Sequence, residues 1–190
     1  MKTGNVTVIG GGPAGLMAAE VLIQGGAQVD VYDAMPSVGR KFLRAGTGGL
    51  NITHSEPFEK FVSRYGTRRP QIEPLLRVFG PVELQAWVQE LGFKTFVGTS
   101  GRVFPVGMKA SPLLRAWLKR LQDNGVKFYL RYKWVGWDKE RSVSSLPPPE
   151  KNPSRLMQSS WHSAVEVGVD SARMAHGSIF LIRQGFEWKR

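Results

Sequence analysis

The sequence predicts an α/β fold in which parallel strands are connected through helices. The first observation is a short apolar run, Val6 to Ile9, which is typical of a buried strand and leads directly into a run of glycines. The second is a helical pattern of apolar residues from Ala14 to Gln24, which Gly25-Gly26 ends. The third is the stretch from Gln28 to Tyr32, which would form a second strand. This order of elements indicates a βαβ unit.

The residues between the first strand and the helix fit the pattern G-x-G-x-x-G and read Gly10-Gly11-Gly12-Pro13-Ala14-Gly15. The first glycine permits a tight turn, the second lets backbone approach a diphosphate, and the third lets helix and strand pack closely. N–H groups at the helix start would then bind the phosphates. The sequence therefore predicts a Rossmann-like dinucleotide-binding domain; a glycine-rich loop of another α/β protein is the alternative. The expected binding residues are Gly10, Gly12, Pro13, Ala14, Gly15 and, after the second strand, the ribose-binding acid Asp33.

Composition limits the chemistry that this chain supports. Its 190 residues are 42% hydrophobic, which is enough for a core, and the absence of cysteine excludes disulfides and thiolate catalysis. The three histidines lie far apart without a metal-ligand spacing, so we expect no metal site. We expect a cytoplasmic protein that does not associate with membranes, because the sequence shows neither a clean signal-peptide pattern nor an apolar run of about 18 residues.

The net charge of +11 raises the alternative of a nucleic-acid-binding protein. Against it, lysine and arginine are scattered along the chain and no RNA-binding motif is present. Part of the positive charge (Arg40, Lys41 and Arg44) falls where an anionic dinucleotide would lie. We therefore expect a small-molecule substrate as the partner and no nucleic acid.

Residues 34–54 read as a glycine-rich loop that carries these three cations. Glycines at positions 46, 48 and 49 indicate backbone that lies close to a flat ligand. Arg40 and Lys41 suit a diphosphate, the first through bidentate contact and the second as a point charge. An ordinary solvated basic loop is the alternative.

Residues 39–56 read G-R-K-F-L-R-A-G-T-G-G-L-N-I-T-H-S-E and follow G-G-G-P-A-G-L-M-A-A at residues 10–19. This combination resembles the BaiN-type flavoproteins, a group of two-dinucleotide-binding enzymes also described as aminoacetone-oxidase-like. The strings G-R-V-F-P and K-A-S-P-L-L add to the resemblance, which covers residues 6 to about 138. The resemblance implies that FAD occupies the glycine cradle. The further residues that it implies as cofactor-lining are Gly39, Arg40, Lys41, Gly48, Gly49, Asn51 and Thr53.

The resemblance also implies an FAD-dependent oxidoreductase that acts on a small organic substrate. Oxidation of a small amine or reduction of a conjugated carbonyl compound is the expected reaction, with NAD(P)H as a candidate electron donor. No catalytic residue is assigned, and we interpret His54 as a structural, hydrogen-bonded histidine. A non-catalytic dinucleotide-binding fragment and a basic nucleic-acid-binding protein are the alternatives. Substrate, redox direction and oligomeric state stay open.

Patterns further along the chain predict four more helices and several more strands. The helices are expected at Glu56–Tyr65, Ile72–Phe79, Val82–Leu91 and Ser111–Asn124. The strands are expected at Phe93–Val97 and Arg102–Val106, as a hairpin, at Val126–Tyr132, and again at Trp134–Trp137.

The sequence changes character after Asp138, so residues 1–138 are assigned to the FAD-binding domain and residues 139–190 to an irregular tail. A proline-rich linker at residues 146–154 is followed by residues 157–190, which show no clean period. Codons that can encode residues 155–177, read from one base earlier, permit A-A-D-A-V-V-L-A-L-G-G-G-S-W-G-R-L-G-S-D-G-A-W, an apolar strand before a glycine-rich turn. We therefore interpret the tail as a frameshift product, in a shortened copy of the enzyme that would be poorly stable and retain FAD weakly.

Overall fold

The computed structural model describes residues 5–132, 134 and 180–184. The described residues form two compact units, of which the first lies within residues 1–41 and 121–190 and the second comprises Phe42–Arg120. Among the described residues, every helix is too short or too polar to traverse a bilayer. In chain order the elements are β1 (Asn5–Ile9), α1 (Pro13–Gln24), β2 (Gln28–Asp33), α2 (Arg40–Ala45), β3 (Thr53–His54), α3 (Phe58–Ser63), a 3-10 turn (Gly66–Arg68), α4 (Arg69–Val78), α5 (Pro81–Glu90), β4 (Thr95–Val97), β5 (Arg102–Pro105), α6 (Ala110–Asp123), β6 (Lys127–Leu130) and β7 (Phe180–Gln184).

The first unit is built on a four-stranded sheet with the order β6-β2-β1-β7. Strands β1, β2 and β6 are parallel, and β7 pairs with β1 in the antiparallel direction. Helix α1 connects β1 to β2 and packs against both strands. The predicted α/β fold with a parallel, Rossmann-like sheet is therefore confirmed, and β6 lies beside β2 as the third parallel strand.

One face of this sheet and the inner side of α1 form the core of the first unit. Val8, Val31, Leu16 and Ala19 are all fully buried. Side chains alternate between the two faces of a strand, so the valines at every second position of β1 and β2 point to the same side. Each large apolar side chain buried in this way contributes roughly 1.5–3 kcal/mol to the free energy of unfolding. The helix ends where Gly26 adopts a φ of 83°, a conformation that favours glycine.

The opposite face of the same sheet carries three tyrosines at the carboxyl ends of the strands. The Tyr32 ring stacks on Tyr129, with centroids 4.5 Å apart, and meets Tyr132 edge to face at 5.8 Å. The register of β2 and β6 places Tyr32 directly opposite Tyr129. Burial raises the pKa of the Tyr32 phenol, so this ring stays neutral and packs as an aromatic surface. The cluster therefore fixes the end of β2.

The second unit has a core of tryptophan and aliphatic side chains between its helices and a small sheet. Trp117 on α6 is 2% exposed and meets Trp87 of α5 edge to face, with ring centroids 4.8 Å apart. The ring of Phe42 approaches Trp117 at 6.1 Å. Strands β3, β5 and β4 form an antiparallel sheet with β5 at its centre. Val103 of β5 is fully buried.

Arginines and glutamates form several ion pairs in the second unit. Arg69 donates from Nε to Glu73 at 2.7 Å and from its terminal nitrogen to Glu59 at 2.6 Å. Arg77 also pairs with Glu73. The Arg64 Nε lies 2.5 Å from Oε1 of Glu56, whose side chain is 4% exposed. The hydrogen bond from Arg64 and its charge lower the pKa of Glu56 below its ordinary value of 4.5.

Most predicted elements agree with the structure within a few residues. The hairpin, the helices near residues 82–91 and 111–124, and the strand near residues 126–132 are confirmed. The helix predicted from Glu56 to Tyr65 is shorter, because Pro57 precedes its first turn and a 3-10 turn follows it. Residues 34–54 were predicted as a glycine-rich loop, but they contain helix α2 and strand β3, neither of which was predicted because both are too short to show a periodic pattern. Strand β6 ends before Arg131, which has a φ of 65°.

The expectations for the end of the chain fall mostly outside the described residues. Trp134 forms an isolated bridge, but residues 135–137 of the expected strand, residues 139–179 and residues 185–190 lie outside. Within the segment expected to be irregular, Phe180–Gln184 forms β7. The frameshift origin of this segment stays a prediction that gene sequencing tests.

We expect Trp117→Ala to lower the free energy of unfolding by about 3–5 kcal/mol, because it opens a cavity between Trp87 and Phe42. That loss is comparable with the whole stability of a small domain. Urea denaturation followed by circular dichroism measures it. Val78→Ala is the control, since Val78 is 79% exposed and its truncation should change stability by no more than about 0.5 kcal/mol. Equal losses in the two variants would contradict this description of the core.

The Glu56–Arg64 pair predicts a pH dependence of stability with a definite sign. Because the folded-state pKa of Glu56 lies below its ordinary 4.5, the pair stabilises the fold above that pH. The stabilisation is lost as the pH falls through the lower, folded-state pKa. Arg64→Gln should therefore flatten the acid side of a plot of urea midpoint against pH. Arg115→Gln, which removes a bond to the Ser111 hydroxyl, should leave that plot unchanged in shape. Parallel curves for wild type and Arg64→Gln would show the inference to be wrong.

Candidate functional site

The turn from β1 into α1 is fixed by two glycines that pack on each other. Gly10 has a φ of 104°, and its N–H donates to the Tyr32 carbonyl at 2.8 Å, which ties the turn to the end of β2. A Cβ on Gly15 would lie 1.9 Å from the carbonyl oxygen of Gly10. Helix α1 can begin this close to β1 only because residue 15 has no side chain.

Gly12 leaves the start of α1 open. A Cβ on Gly12 would have no heavy atom within 4 Å, so nothing in the described chain fills the space above it. The N–H of Leu16 is the first to bond within the helix, to Gly12, and Pro13 has no N–H. The N–H groups of Ala14 and Gly15 therefore point out of the helix start, where its positive dipole end lies. This arrangement is suited to an anion.

Asp33 is held against the glycine turn by two backbone hydrogen bonds. The N–H of Gly11 donates to its Oδ2 at 2.7 Å and the N–H of Met35 donates to its Oδ1 at 2.7 Å. The Asp33 carbonyl accepts the N–H of Tyr132 at 3.0 Å. Each carboxylate oxygen keeps a lone pair for a further donor. The side chain is therefore oriented beside the turn before any ligand arrives.

Residues 38–41 lie beside the same turn. The N–H of Gly39 donates to the Gly11 carbonyl at 2.7 Å, and Gly39 has a φ of 70°. A Cβ on Gly11 would lie 2.3 Å from the side chain of Val38. Arg40 and Lys41 follow as the exposed first residues of α2. The structure therefore brings Gly39 to the glycine turn, and the roles of Arg40 and Lys41 toward a diphosphate stay predictions.

The other four predicted residues belong to the second unit. Gly49 has a φ of 114°, and a Cβ there would lie 2.7 Å from the terminal methyl of Met108. Next to it, the N–H of Leu50 donates to the Met108 carbonyl at 2.8 Å. Gly48 faces open space, Asn51 is exposed, and Thr53 is buried in β3. Their predicted role beside a flavin is not tested by these contacts and stays a prediction.

His54 has both ring nitrogens bonded to backbone. Its Nδ1 accepts the N–H of Glu56 at 3.2 Å, so its Nε2 carries the proton and donates to the Ser100 carbonyl at 3.0 Å. The ring lies over Gly101, where a Cβ would come within 2.6 Å of it. These contacts tie β3 to the hairpin of β4 and β5. They support the interpretation of His54 as a structural residue.

Sequence reasoning missed Gly11 as a site residue. Its N–H holds Asp33, its carbonyl holds Gly39, and a side chain there would strike Val38. The signal was present, because G-x-G-x-x-G requires no glycine at that position and this chain has one. Among the described residues, no group of three or more histidine, aspartate or glutamate side chains could hold a metal ion.

Two known proteins are similar to parts of this chain. A 3-dehydro-bile acid delta(4,6)-reductase from Clostridium scindens is 29% identical over 127 residues, which cover 65% of this chain and 30% of that protein. The chain thus spans less than a third of the length of this curated relative. The crystal structure of Thermovibrio ammonificans THI4 matches 67% of this chain and 38% of its own, with 17% identity and a TM-score of 0.41.

The strongest assignment comes from the family comparison, which agrees with the parallel sheet, the glycine turn and the position of Asp33. The model of the HI0933-like protein Rossmann domain matches residues 4–152, well over half of the chain, and the chain therefore belongs to this family.

Proposed function

We propose that this chain binds FAD through its first unit and serves an FAD-dependent oxidoreductase that acts on a small organic substrate. The observation that carries the proposal is the pairing of Asp33 with Gly11 beside the open start of α1. One acidic group and one anion-binding helix start, held together on a glycine turn, match the two polar parts of an adenosine diphosphate.

The residues present fit the diphosphate. The space above Gly12 admits a phosphate, and the outward N–H groups of Ala14 and Gly15 are donors for it. The helix dipole alone contributes about 0.3–1 kcal/mol per charge. Hydrogen bonds to a charged group contribute about 1.5–3 kcal/mol each, so the directed N–H groups provide the larger part. Arg40 and Lys41 would add charge at the start of α2.

The residues present also fit the ribose. Asp33 is preoriented by Gly11 and Met35, and its remaining lone pairs would accept the 2′- and 3′-hydroxyls. A negative charge at this position disfavours a 2′-phosphate, so the pocket suits an unphosphorylated adenosine. The three-tyrosine cluster behind Asp33 keeps its backbone in place.

The choice of a flavin over a nicotinamide rests on the resemblance of residues 10–56 to flavoproteins, and a reductase among the relatives supports a redox role. When bound, FAD would supply the two-electron redox chemistry through its isoalloxazine ring. This chain's residues would bind and orient its adenosine diphosphate. NAD(P)H is the proposed electron donor. Because the chain spans less than a third of the curated relative, binding without turnover is the alternative outcome.

The experiment for this function is to purify the protein, add FAD to the flavin-free form, and follow flavin fluorescence and absorbance. Saturable binding of one FAD is expected. Consumption of NADPH with a conjugated carbonyl compound would then separate an enzyme from a binding module. A protein that binds no flavin at concentrations up to the millimolar range would refute the proposal.

Gly12→Ala is the sharpest single change for this site. Its Cβ would enter open space, so the fold should be unchanged, but it would occupy the position proposed for the diphosphate. We expect FAD affinity to fall about tenfold or more, because a diphosphate displaced by the Cβ would lose at least one charge-assisted hydrogen bond. Gly25→Ala at the other end of α1 is the matched control, since Gly25 has a φ of −74°. An unchanged affinity in Gly12→Ala would place the diphosphate elsewhere.

A second prediction concerns which half of the cofactor the first unit recognises. If the glycine turn and Asp33 hold the adenosine diphosphate, ADP should displace FAD competitively and FMN should not. Displacement of bound FAD by ADP and by FMN is measured in separate titrations as the recovery of flavin fluorescence. Competition by FMN with none by ADP would contradict the assignment of the turn.

A further inference from the structure

The small sheet of the second unit has one buried face and one open face. On β5 the side chains alternate, so that Val103 and Pro105 are buried while Arg102 is exposed and Phe104 is partly exposed. The register places Phe104 opposite Phe96 of β4 and Arg102 opposite His54 of β3. The open face therefore carries two phenyl rings, one guanidinium and one imidazole. We call it the Phe-Arg face, and it consists of His54, Phe96, Arg102 and Phe104.

The two phenylalanines form a stacked pair that solvent reaches. Their ring centroids are 5.7 Å apart with an interplanar angle of 28°, and Phe96 is 40% exposed. Two glycines border the Phe104 ring, since a Cβ on Gly98 would lie 3.2 Å from it and one on Gly49 would lie 3.9 Å from it. Neither glycine has a side chain that could cover the ring edge. The pair is thus an aromatic surface suited to a flat ring.

Arg102 gives this surface a positive charge. Among the described residues it has no ion-pair or hydrogen-bond partner for its guanidinium, in contrast to Arg64, Arg69 and Arg77, which all contact glutamates. Residues two apart on a strand are about 7 Å apart and share a face, so Arg102 flanks the phenylalanine pair. The His54 ring does not accept a hydrogen bond from Arg102, because its two ring nitrogens are bonded to backbone.

Backbone hydrogen bonds hold the Phe-Arg face in place. Gly98 N–H donates to the Arg102 carbonyl and Gly101 N–H donates to Gly98, which closes the hairpin. Ser55 N–H donates to Gly101 and joins β3 to the same turn. A site preorganised in this way loses little entropy when a ligand binds.

We propose that the Phe-Arg face binds a planar aromatic carboxylate. The ring of the ligand lies on Phe96 and Phe104, and its carboxylate accepts hydrogen bonds from the Arg102 guanidinium, whose fork matches a carboxylate. The binding itself depends on the second unit alone. The further statement, that such a carboxylate is the substrate of the oxidoreductase, rests on the proposed function.

The test is a titration of the full chain with 2-naphthoate, and with uncharged 2-naphthol as its counterpart, followed by ligand-observed NMR. We expect saturable naphthoate binding and at least fivefold weaker binding of the naphthol. Arg102→Gln should weaken naphthoate binding about fivefold, because one exposed charge pair is lost. It should leave naphthol binding unchanged, because naphthol has no carboxylate to pair with Arg102. Phe96→Ala should weaken both about threefold to tenfold through the loss of ring stacking. Arg68→Gln, an exposed arginine on the 3-10 turn, is the matched control.

Three outcomes would overturn the proposal. They are no saturable naphthoate binding, equal effects of Arg102→Gln and Arg68→Gln, and self-association or single-stranded DNA binding that blocks the face in place of naphthoate. FAD binding is measured in the same samples. Gly12→Ala should weaken FAD binding and leave naphthoate binding unchanged, whereas Arg102→Gln should weaken naphthoate binding and leave FAD binding unchanged. Failure of this proposal and failure of the FAD proposal therefore give different results.

Discussion

The close approach of Gly15 to the Gly10 carbonyl is the constraint on which the first unit depends. A methyl group at residue 15 would overlap that oxygen, so α1 begins immediately beside β1 only with glycine there. This contact sets where the helix start points and leaves the space at Gly12 open. The turn that results is then bonded to the end of β2 through Gly10 and Tyr32. Every backbone contact proposed for a diphosphate follows from this geometry.

Asp33 shows how one side chain can belong to both the fold and the site. Its two oxygens hold the backbone at Gly11 and Met35, so it stabilises the turn without a ligand. The same bonds fix the direction in which its free lone pairs point. A binding group that is already oriented costs less to engage than a flexible one. The tyrosine stack behind it has the same effect, since it restrains the strand that ends in Asp33.

The second unit distributes its charges unevenly. The arginines of α4 lie in a network with glutamates of α3 and α4, where exposed pairs add little to stability and mainly order the side chains. Arg102 stands apart on an open sheet face beside two stacked phenylalanines. A net charge of +11 therefore does not by itself indicate nucleic acid. What matters is which cations are already neutralised and which lie beside a surface that a ligand can use.

The sequence by itself determined the βαβ unit, the glycine turn, the position of Asp33, and most helix ends. These features are local, because hydrophobic periodicity and the backbone freedom of glycine are properties of neighbouring residues. Only the tertiary structure decided that the N–H of Gly11 holds Asp33 and that Gly39 reaches the glycine turn. The same is true of the small sheet, in which β3 pairs with β5 and the Phe-Arg face is assembled. Each of these depends on residues far apart in the chain, and pairings of that kind leave no periodic signal in either partner. The position of strand β7 was also decided only by the tertiary structure, since its place beside β1 depends on the free edge of the sheet and not on its own five residues.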